Sequence, residues 1–172
     1  AVVLVLLTGA GLWFVFNAKP IGSRGMTLAD PAAPQLGPAW VGQTANYRLT
    51  SHVSVAQTQQ VGSTMEALLR AYLEFFALDA QAVPKGGLEL RLFRDRAQFK
   101  ARVANAPPWA EAIYRKGVAY AYFDANAPNA QHWMLHEATH QLNEKVGRTP
   151  AAKWVNEGLA SYFGASKVED YV

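Results

Sequence analysis

The chain has 172 residues, of which 51% are apolar, with 5 Trp, 7 Tyr and 8 Phe. This length and composition allow one domain with a buried core, exclude a disordered chain, and leave too few residues for two ordinary domains. Because cysteine is absent, disulfides, thiolate metal sites and a cysteine nucleophile are excluded. The net charge is only +3, and Asp95 interrupts the basic residues of 91–102, so we expect a solvated helix face there and no nucleic-acid partner.

Residues 1–18 open the chain with an apolar segment. No charged side chain occurs in residues 1–16, which is typical of a membrane-spanning segment or of the core of a signal peptide. Phe16 occupies a position where signal cleavage requires a small residue, so we predict an uncleaved membrane anchor, with a removed signal as the alternative. Since the first residue is not Met, we expect the segment to begin inside a longer protein. The predicted location is membrane-anchored and extracytoplasmic, or secreted if the segment is cleaved.

The composition changes where the predicted domain begins. Residues 19–43 are rich in Gly, Pro and Ala and lack apolar periodicity, which predicts a linker. Residues 44–172 show regular apolar patterns and form the predicted domain. Its first element is a strand over 46–54, where apolar and polar side chains alternate.

A long amphipathic helix is predicted over 63–78. Ser63 is a suitable N-cap, and Glu66 completes a capping box with it. Apolar side chains recur at helical spacing along one face of this segment: Met65, Leu68, Leu69, Tyr72, Leu73 and Phe76. The alternating leucines of 88–93 then predict a half-buried strand.

Three further elements follow before the last helix. A short helix over 95–104 is capped by Asp95, and 117–123 reads as another strand. Residues 128–145 predict a helix that ends with Gly147 in the C′ position.

Pro150 opens the last predicted helix, and Gly164 ends it. The order of elements is β-α-β-α-β-α-α, with the strands first and two helices last. This order predicts an α+β domain. The last two helices carry the residues that suggest a chemical function.

The first motif is "HEATH", in which His136 and His140 are four residues apart on the helix over 128–145. This spacing places both imidazoles on one helix face, where they can bind a single zinc ion. Glu137 lies beside them and can act as a general base towards a metal-activated water. The same helix has a separate apolar stripe that packs on the core: Leu135, Ala138, Thr139, Leu142 and Val146.

A catalytic zinc site usually has three protein ligands, and Glu157 on the last helix is the best candidate for the third. Gly158 beside it would allow close helix approach or backbone room near the metal. His132, one turn before His136, is an alternative ligand or an exposed side chain at the cleft mouth. Glu144 is a weaker candidate, because a ligand on the same helix would strain a compact tetrahedral site.

The two motifs together resemble the gluzincin branch of zinc metallopeptidases. His136-Glu137-x-x-His140, followed by Glu157 in "WVNEGLA", resembles the W-L-N-E-G-F-A signature of aminopeptidases related to leukotriene hydrolase, with a shorter spacer. The sequence is most similar to a bacterial group with H-E-A-T-H-Q-L and W-x-x-E-G-L-A motifs. That group also has an F-x-D-R-x-x-F segment, matched here by Phe93, Asp95, Arg96 and Phe99. The resemblance covers about residues 45–165.

This resemblance implies a zincin-like domain with a small mixed sheet packed on the active-site helix, followed by a ligand-bearing helix. It implies His136, His140 and Glu157 as ligands of one Zn²⁺ and Glu137 as general base. The strand over 117–123 would border the cleft and pair with an extended peptide. The aminopeptidase motif for a substrate's amino terminus is absent, so exopeptidase specificity is not implied.

Several polar side chains are candidates for supporting roles. The residue that would stabilise the oxyanion is not assigned. Three tyrosines of the expected cleft wall are candidates: Tyr162, Tyr120 and Tyr122. Two residues of the last helix are candidate hydrogen-bond partners of the ligands: Asn156 and Ser161.

The sequence therefore predicts a membrane-tethered, zinc-dependent hydrolase that acts on a peptide or protein substrate, with Glu137 as general base. Two alternatives remain. The domain could be a catalytically silent zincin-like binding or scaffold module at the membrane, or a fragment whose missing C-terminal part completes the cleft. The substrate and the oligomeric state are not predicted.

Overall fold

The computed structural model describes most of the predicted domain and two short pieces before it: residues 2–4, 15–17, 39–85, 87–124, 126, 131–148 and 152–166. The two short pieces are strands β1 (Val2–Leu4) and β2 (Val15–Asn17), which pair antiparallel. Among the described residues, none of the helices has both the length and the hydropathy needed to cross a bilayer. Most of the segment over 1–18 lies outside the described residues, so the anchor stays a prediction.

The domain is built on a five-stranded mixed sheet with the strand order β3-β4-β5-β7-β6. The three central strands β4, β5 and β7 are parallel, whereas β3 and β6 are antiparallel to their neighbours. The bounds are β3 (Trp40–Gln43), β4 (Tyr47–Ser51), β5 (Leu88–Phe93), β6 (Ala112–Arg115) and β7 (Val118–Tyr122). The three predicted strands and the α+β class are confirmed.

Within the five-stranded sheet, two strands were not predicted from the sequence. Strand β3 lies in the last residues of the predicted linker, so the sheet begins before residue 44. Strand β6 lies in a segment for which no element was predicted. A two-residue turn joins it to β7, with Lys116 and Gly117 both at positive φ (51° and 83°). This is the backbone of a type I′ hairpin turn, which Lys-Gly signals weakly in sequence.

Four α-helices pack on the two faces of the sheet. Their bounds are α1 (Val55–Phe75), α2 (Arg96–Arg102), α3 (His132–Leu142) and α4 (Lys153–Gly164). Helices α1, α3 and α4 share the larger core, in which the leucines of β5 are buried. Helix α2 covers the opposite face, where Phe93 and Phe99 form a smaller core. The larger core therefore lies under the two helices that carry the motifs.

The predicted start of the first helix is wrong. Helix α1 begins at Val55, and its capping box is formed by Ser54 and Gln57. The Ser54 hydroxyl accepts the Gln57 N–H at 3.2 Å, and the Gln57 carboxamide accepts the Ser54 N–H at 3.1 Å. Ser63 lies inside the helix, because buried contacts of Thr58 and Val61 extend the core face towards the N-terminus.

Glu66 is consequently a buried side chain, 4% exposed, rather than a capping residue. Its carboxylate accepts the backbone N–H of Asn46 at 2.7 Å and the side-chain N–H of Asn46 at 2.8 Å. The Thr44 hydroxyl donates to the same carboxylate. Glu66 thus fixes the turn between β3 and β4 to helix α1, and it satisfies donors that burial would otherwise leave unpaired.

The remaining predicted helices agree in position but differ at their ends. Asp95 caps α2 as predicted, its carboxylate accepting the Gln98 N–H at 2.7 Å. The predicted start of the motif helix at residue 128 lies outside the described residues. Its predicted end is wrong: the chain continues from α3 into a π-helical turn over Asn143–Gly147, and Arg148, not Gly147, adopts the left-handed conformation.

We expect Glu66→Ala to lower the free energy of unfolding by about 3 kcal/mol, because it leaves the buried donors of Thr44 and Asn46 without an acceptor. Glu74→Ala, at an exposed position of the same helix, is the matched control and should change the free energy by less than about 0.5 kcal/mol. Urea denaturation measures both. Equal effects of the two substitutions would show that Glu66 does not fix the turn.

Candidate metal centre

Helix α3 places His136 and His140 side by side. Their ring centroids are 4.9 Å apart at an interplanar angle of 82°, and their side chains are 12% and 13% exposed. The helix is held on the sheet by the predicted apolar stripe, all of which is buried: Leu135, Ala138, Thr139, Leu142 and Val146. The imidazoles are therefore available for binding, because other side chains provide the packing.

Helix α4 brings Glu157 to the two imidazoles. Its Oε2 atom lies 3.4 Å from Nε2 of His136 and 3.5 Å from Nε2 of His140. In a tetrahedral zinc site with bonds of about 2.0–2.2 Å, neighbouring ligand atoms lie about 3.3–3.6 Å apart. The two separations between the Glu157 oxygen and the imidazole nitrogens thus fit ligands of a single ion of this size.

The close approach of α4 to α3 depends on Gly164. A Cβ atom at Gly164 would lie 3.2 Å from the His132 carbonyl oxygen and 3.3 Å from the His136 Cβ. A side chain there would push the helices apart. The suggested role of Gly158 in close helix approach is wrong, because a Cβ atom at that position would meet nothing within 4 Å.

The imidazole nitrogens differ in their surroundings. Both Nε2 atoms face Glu157, whereas the buried Nδ1 atoms have no hydrogen-bond partner among the described residues. Burial, and then the neighbouring His140, lower the pKa of His136. The neutral imidazole, the form that binds metal, is therefore favoured.

Glu137 is the second carboxylate at the imidazole pair. One of its oxygens lies within 4.8 Å of a ring nitrogen of each histidine. Its Oε2 atom accepts the backbone N–H of Tyr114 at 2.7 Å. Strand β6 therefore orients this carboxylate, and no pattern in the sequence indicated that contact.

A cavity of about 780 Å³ lies over these residues. Two residues of strand β6 line it, Ala112 and Tyr114, as do two tryptophans, Trp109 and Trp133. Four carboxylates also line it: Glu111, Glu137, Glu144 and Glu157. The prediction that the strand over 117–123 borders the cleft as an edge is wrong. Strand β7 is paired on both sides, by β5 and by β6, and the edge strand beside α3 is β6.

The two alternative metal ligands, His132 and Glu144, make contacts with other groups. His132 is half-buried between α3 and α4, and its Nδ1 donates to the Gly164 carbonyl at 2.8 Å. It does not line the cavity, so it is not exposed at the cleft mouth. A bond from Nδ1 does not occupy Nε2, so its alternative role as a ligand stays a prediction. Glu144 lines the cavity, but its carboxylate pairs with Lys145 at 2.8 Å. Lys145, and then the Tyr114 hydroxyl, lower the pKa of Glu144.

None of the three candidate tyrosines for the oxyanion lines the cavity. Tyr162 is 59% exposed and packs against Phe75. Tyr120 and Tyr122 lie on the α2 side of the sheet. Their side chains share this face because residues two apart in a strand point the same way.

The candidate partners on α4 are also placed differently from the prediction. Ser161 is exposed. The Asn156 carboxamide accepts a hydrogen bond from Asn143 at 2.6 Å rather than one from a histidine. Asn143 was not singled out in the sequence, because a polar residue after the motif is common on exposed helix faces.

Comparison with known proteins assigns neither a family nor a function to the chain. No family model, no curated protein and no solved structure matches the chain. The likeness to gluzincins therefore rests on the His136-Glu137-x-x-His140 and Glu157 motifs, and the family is not shown.

Proposed function

We propose that this chain is a zinc-dependent hydrolase of gluzincin type that cleaves peptide bonds. The observation that carries the proposal is the convergence of Glu157 with Nε2 of His136 and His140 at 3.4 and 3.5 Å. The zincin-like fold is part of the same proposal. It is supported by the mixed sheet and by the ligand-bearing helix that follows α3.

Two imidazole nitrogens and one carboxylate oxygen form a donor set that suits zinc and matches that of catalytic His₂Glu sites. His136, His140 and Glu157 would hold the ion. A zinc ion with three protein ligands lowers the pKa of water at its open position to near neutrality and polarises a carbonyl group.

Glu137 is the general base of the proposal. The Tyr114 N–H holds one carboxylate oxygen at 2.7 Å, which fixes the orientation of the side chain beside the imidazoles. The carboxylate can take a proton from the attacking water and deliver one to the leaving amine. Its contact with the Tyr114 N–H supports this role over that of the third ligand, for which the distances of Glu157 to the imidazoles are the support.

Strand β6 supports a peptide as the substrate. The Tyr114 N–H points away from β7 and donates to Glu137, so the groups that this edge offers to a substrate are the Tyr114 carbonyl and the backbone N–H and carbonyl of Ala112. An extended peptide can pair with such an edge and lay its backbone across the metal centre. The cavity is large enough for several residues of a substrate.

The membrane is the second proposed partner, through the apolar segment at residues 1–18. The extracytoplasmic location, or secretion after cleavage, belongs to the same proposal. The competing function is a catalytically silent binding domain of the same fold, and the Glu137 experiment below separates the two.

We expect the purified protein to bind one zinc ion and Glu157→Gln to weaken the zinc affinity by more than about 100-fold. Loss of a hydrogen-bond partner of a metal ligand costs about 10–100-fold in affinity, and loss of the ligand itself costs more. Glu144→Gln is the matched control at a carboxylate of the same cavity and should keep the affinity within about threefold. Competition with a chromogenic chelator measures both. Full affinity in the Glu157 variant would remove this residue from the ligand set.

We expect Glu137→Gln to retain zinc and to lower the rate of peptide hydrolysis by about 10²–10⁴-fold, because the amide still accepts the Tyr114 N–H but cannot accept a proton. The assay is cleavage of a broad peptide library by both zinc-loaded proteins. Equal, negligible cleavage would contradict the peptidase and favour the silent binding domain.

A further inference from the structure

The segment immediately after α3 is unusual. The chain does not end the helix after His140 but widens into a π-helical turn over Asn143–Gly147. Such turns are rare and are frequent at functional sites. The first residue of this turn, Asn143, is 5% exposed, so its carboxamide must find partners inside the protein.

Asn143 connects three helices. Its Oδ1 atom accepts the hydroxyl of Tyr72, on α1, at 2.8 Å. Its Nδ2 atom donates to Oδ1 of Asn156, on α4, at 2.6 Å. Asn156 precedes Glu157 directly, so this chain of hydrogen bonds ends at the residue next to the proposed third ligand.

The N-terminal half of α4 has few other attachments. Its N-cap residue, Ala152, makes no side-chain capping bond. The close contact at Gly164, with the bond from His132, fixes only the C-terminal end of the helix. Glu157 itself is 48% exposed. Apart from the contacts of Glu157 with the imidazoles, the Asn143–Asn156 bond is the polar side-chain contact that the described residues show between the N-terminal half of α4 and the rest of the protein.

We propose that Asn143 is a positioning residue that acts through Asn156 to hold Glu157 at the distance required for metal binding. Tyr72 links the pair to the core and so orients the Asn143 carboxamide. Neither histidine has a partner on its buried Nδ1 atom among the described residues, so the hydrogen bonds that preorganise this centre act on the helix that carries Glu157, through the residue before it. The inference rests on the proposed metal centre and adds what sets its affinity.

A purely structural role for the three residues would change stability and leave metal affinity alone. The test therefore measures zinc affinity by chelator competition, the visible spectrum of the Co²⁺ form, and the free energy of unfolding in the presence of a chelator. Four variants of the whole chain are compared: Asn156→Leu, Asn156→Asp, Tyr72→Phe and Ser161→Ala. Ser161→Ala is the control at an exposed position of the same helix.

Asn156→Leu removes the acceptor, and we expect it to weaken zinc binding by about 10–100-fold and to alter the Co²⁺ spectrum. Asn156→Asp keeps an acceptor for the Asn143 amide and should bind zinc no more than about threefold more weakly than the wild type. Tyr72→Phe should lower metal-free stability but weaken zinc binding less than Asn156→Leu. If Asn156→Leu does not fold, Asn156→Ala removes the same acceptor.

Two results would overturn the inference while leaving the proposed function intact. One is zinc affinity of Asn156→Leu within about twofold of the wild type while Glu157→Gln loses it. The other is equal weakening by Asn156→Leu and Asn156→Asp. A wild-type protein that binds no zinc would overturn the proposed function and this inference together.

Discussion

The contact between α3 and α4 is the interaction on which the candidate site depends. The two histidines belong to one helix, but their third partner arrives only because α4 packs closely against it. Gly164 permits that approach at one end, where a side chain would collide with the His136 Cβ. The Asn143–Asn156 bond fixes the other end. A displacement of α4 by about 1 Å away from α3 would move the Glu157 oxygen outside the about 3.3–3.6 Å range of neighbouring ligand atoms around one zinc ion.

The position of α3 on the sheet determines where the Glu137 carboxylate lies relative to β6. Helix α3 packs against β7, and both contribute small residues to the larger core: Ala119, Ala121 and Ala138. The buried Gln141 amide donates to the Glu89 carbonyl at 2.9 Å and to the Gly117 carbonyl at 2.8 Å. These bonds fix the height and rotation of the helix. As a result the Glu137 carboxylate reaches the edge of β6, which orients it.

The predictions that failed share a physical cause. Ser63 and Glu66 satisfy a capping pattern, but burial of the preceding residues starts the helix at Val55, two turns earlier. The Glu66 carboxylate accepts the Asn46 N–H in the turn before β4 instead. Strand β6 is short, contains an alanine, and is stabilised by pairing with β7 rather than by its own propensity. Tyr162 was a candidate for stabilising the oxyanion because it lies five residues after Glu157. On the helix its side chain points to another face, where it packs against Phe75.

The sequence by itself determined the features that depend on local geometry. A spacing of four residues puts His136 and His140 on one helix face in any α-helix, and alternation assigned β4, β5 and β7. The tertiary structure decided the rest: that Glu157 meets the histidines, that Gly164 rather than Gly158 lets it do so, and that β6 forms the cleft edge. Such contacts join residues far apart in the chain, and their distances are set by the packing of helices and strands, which no local pattern encodes.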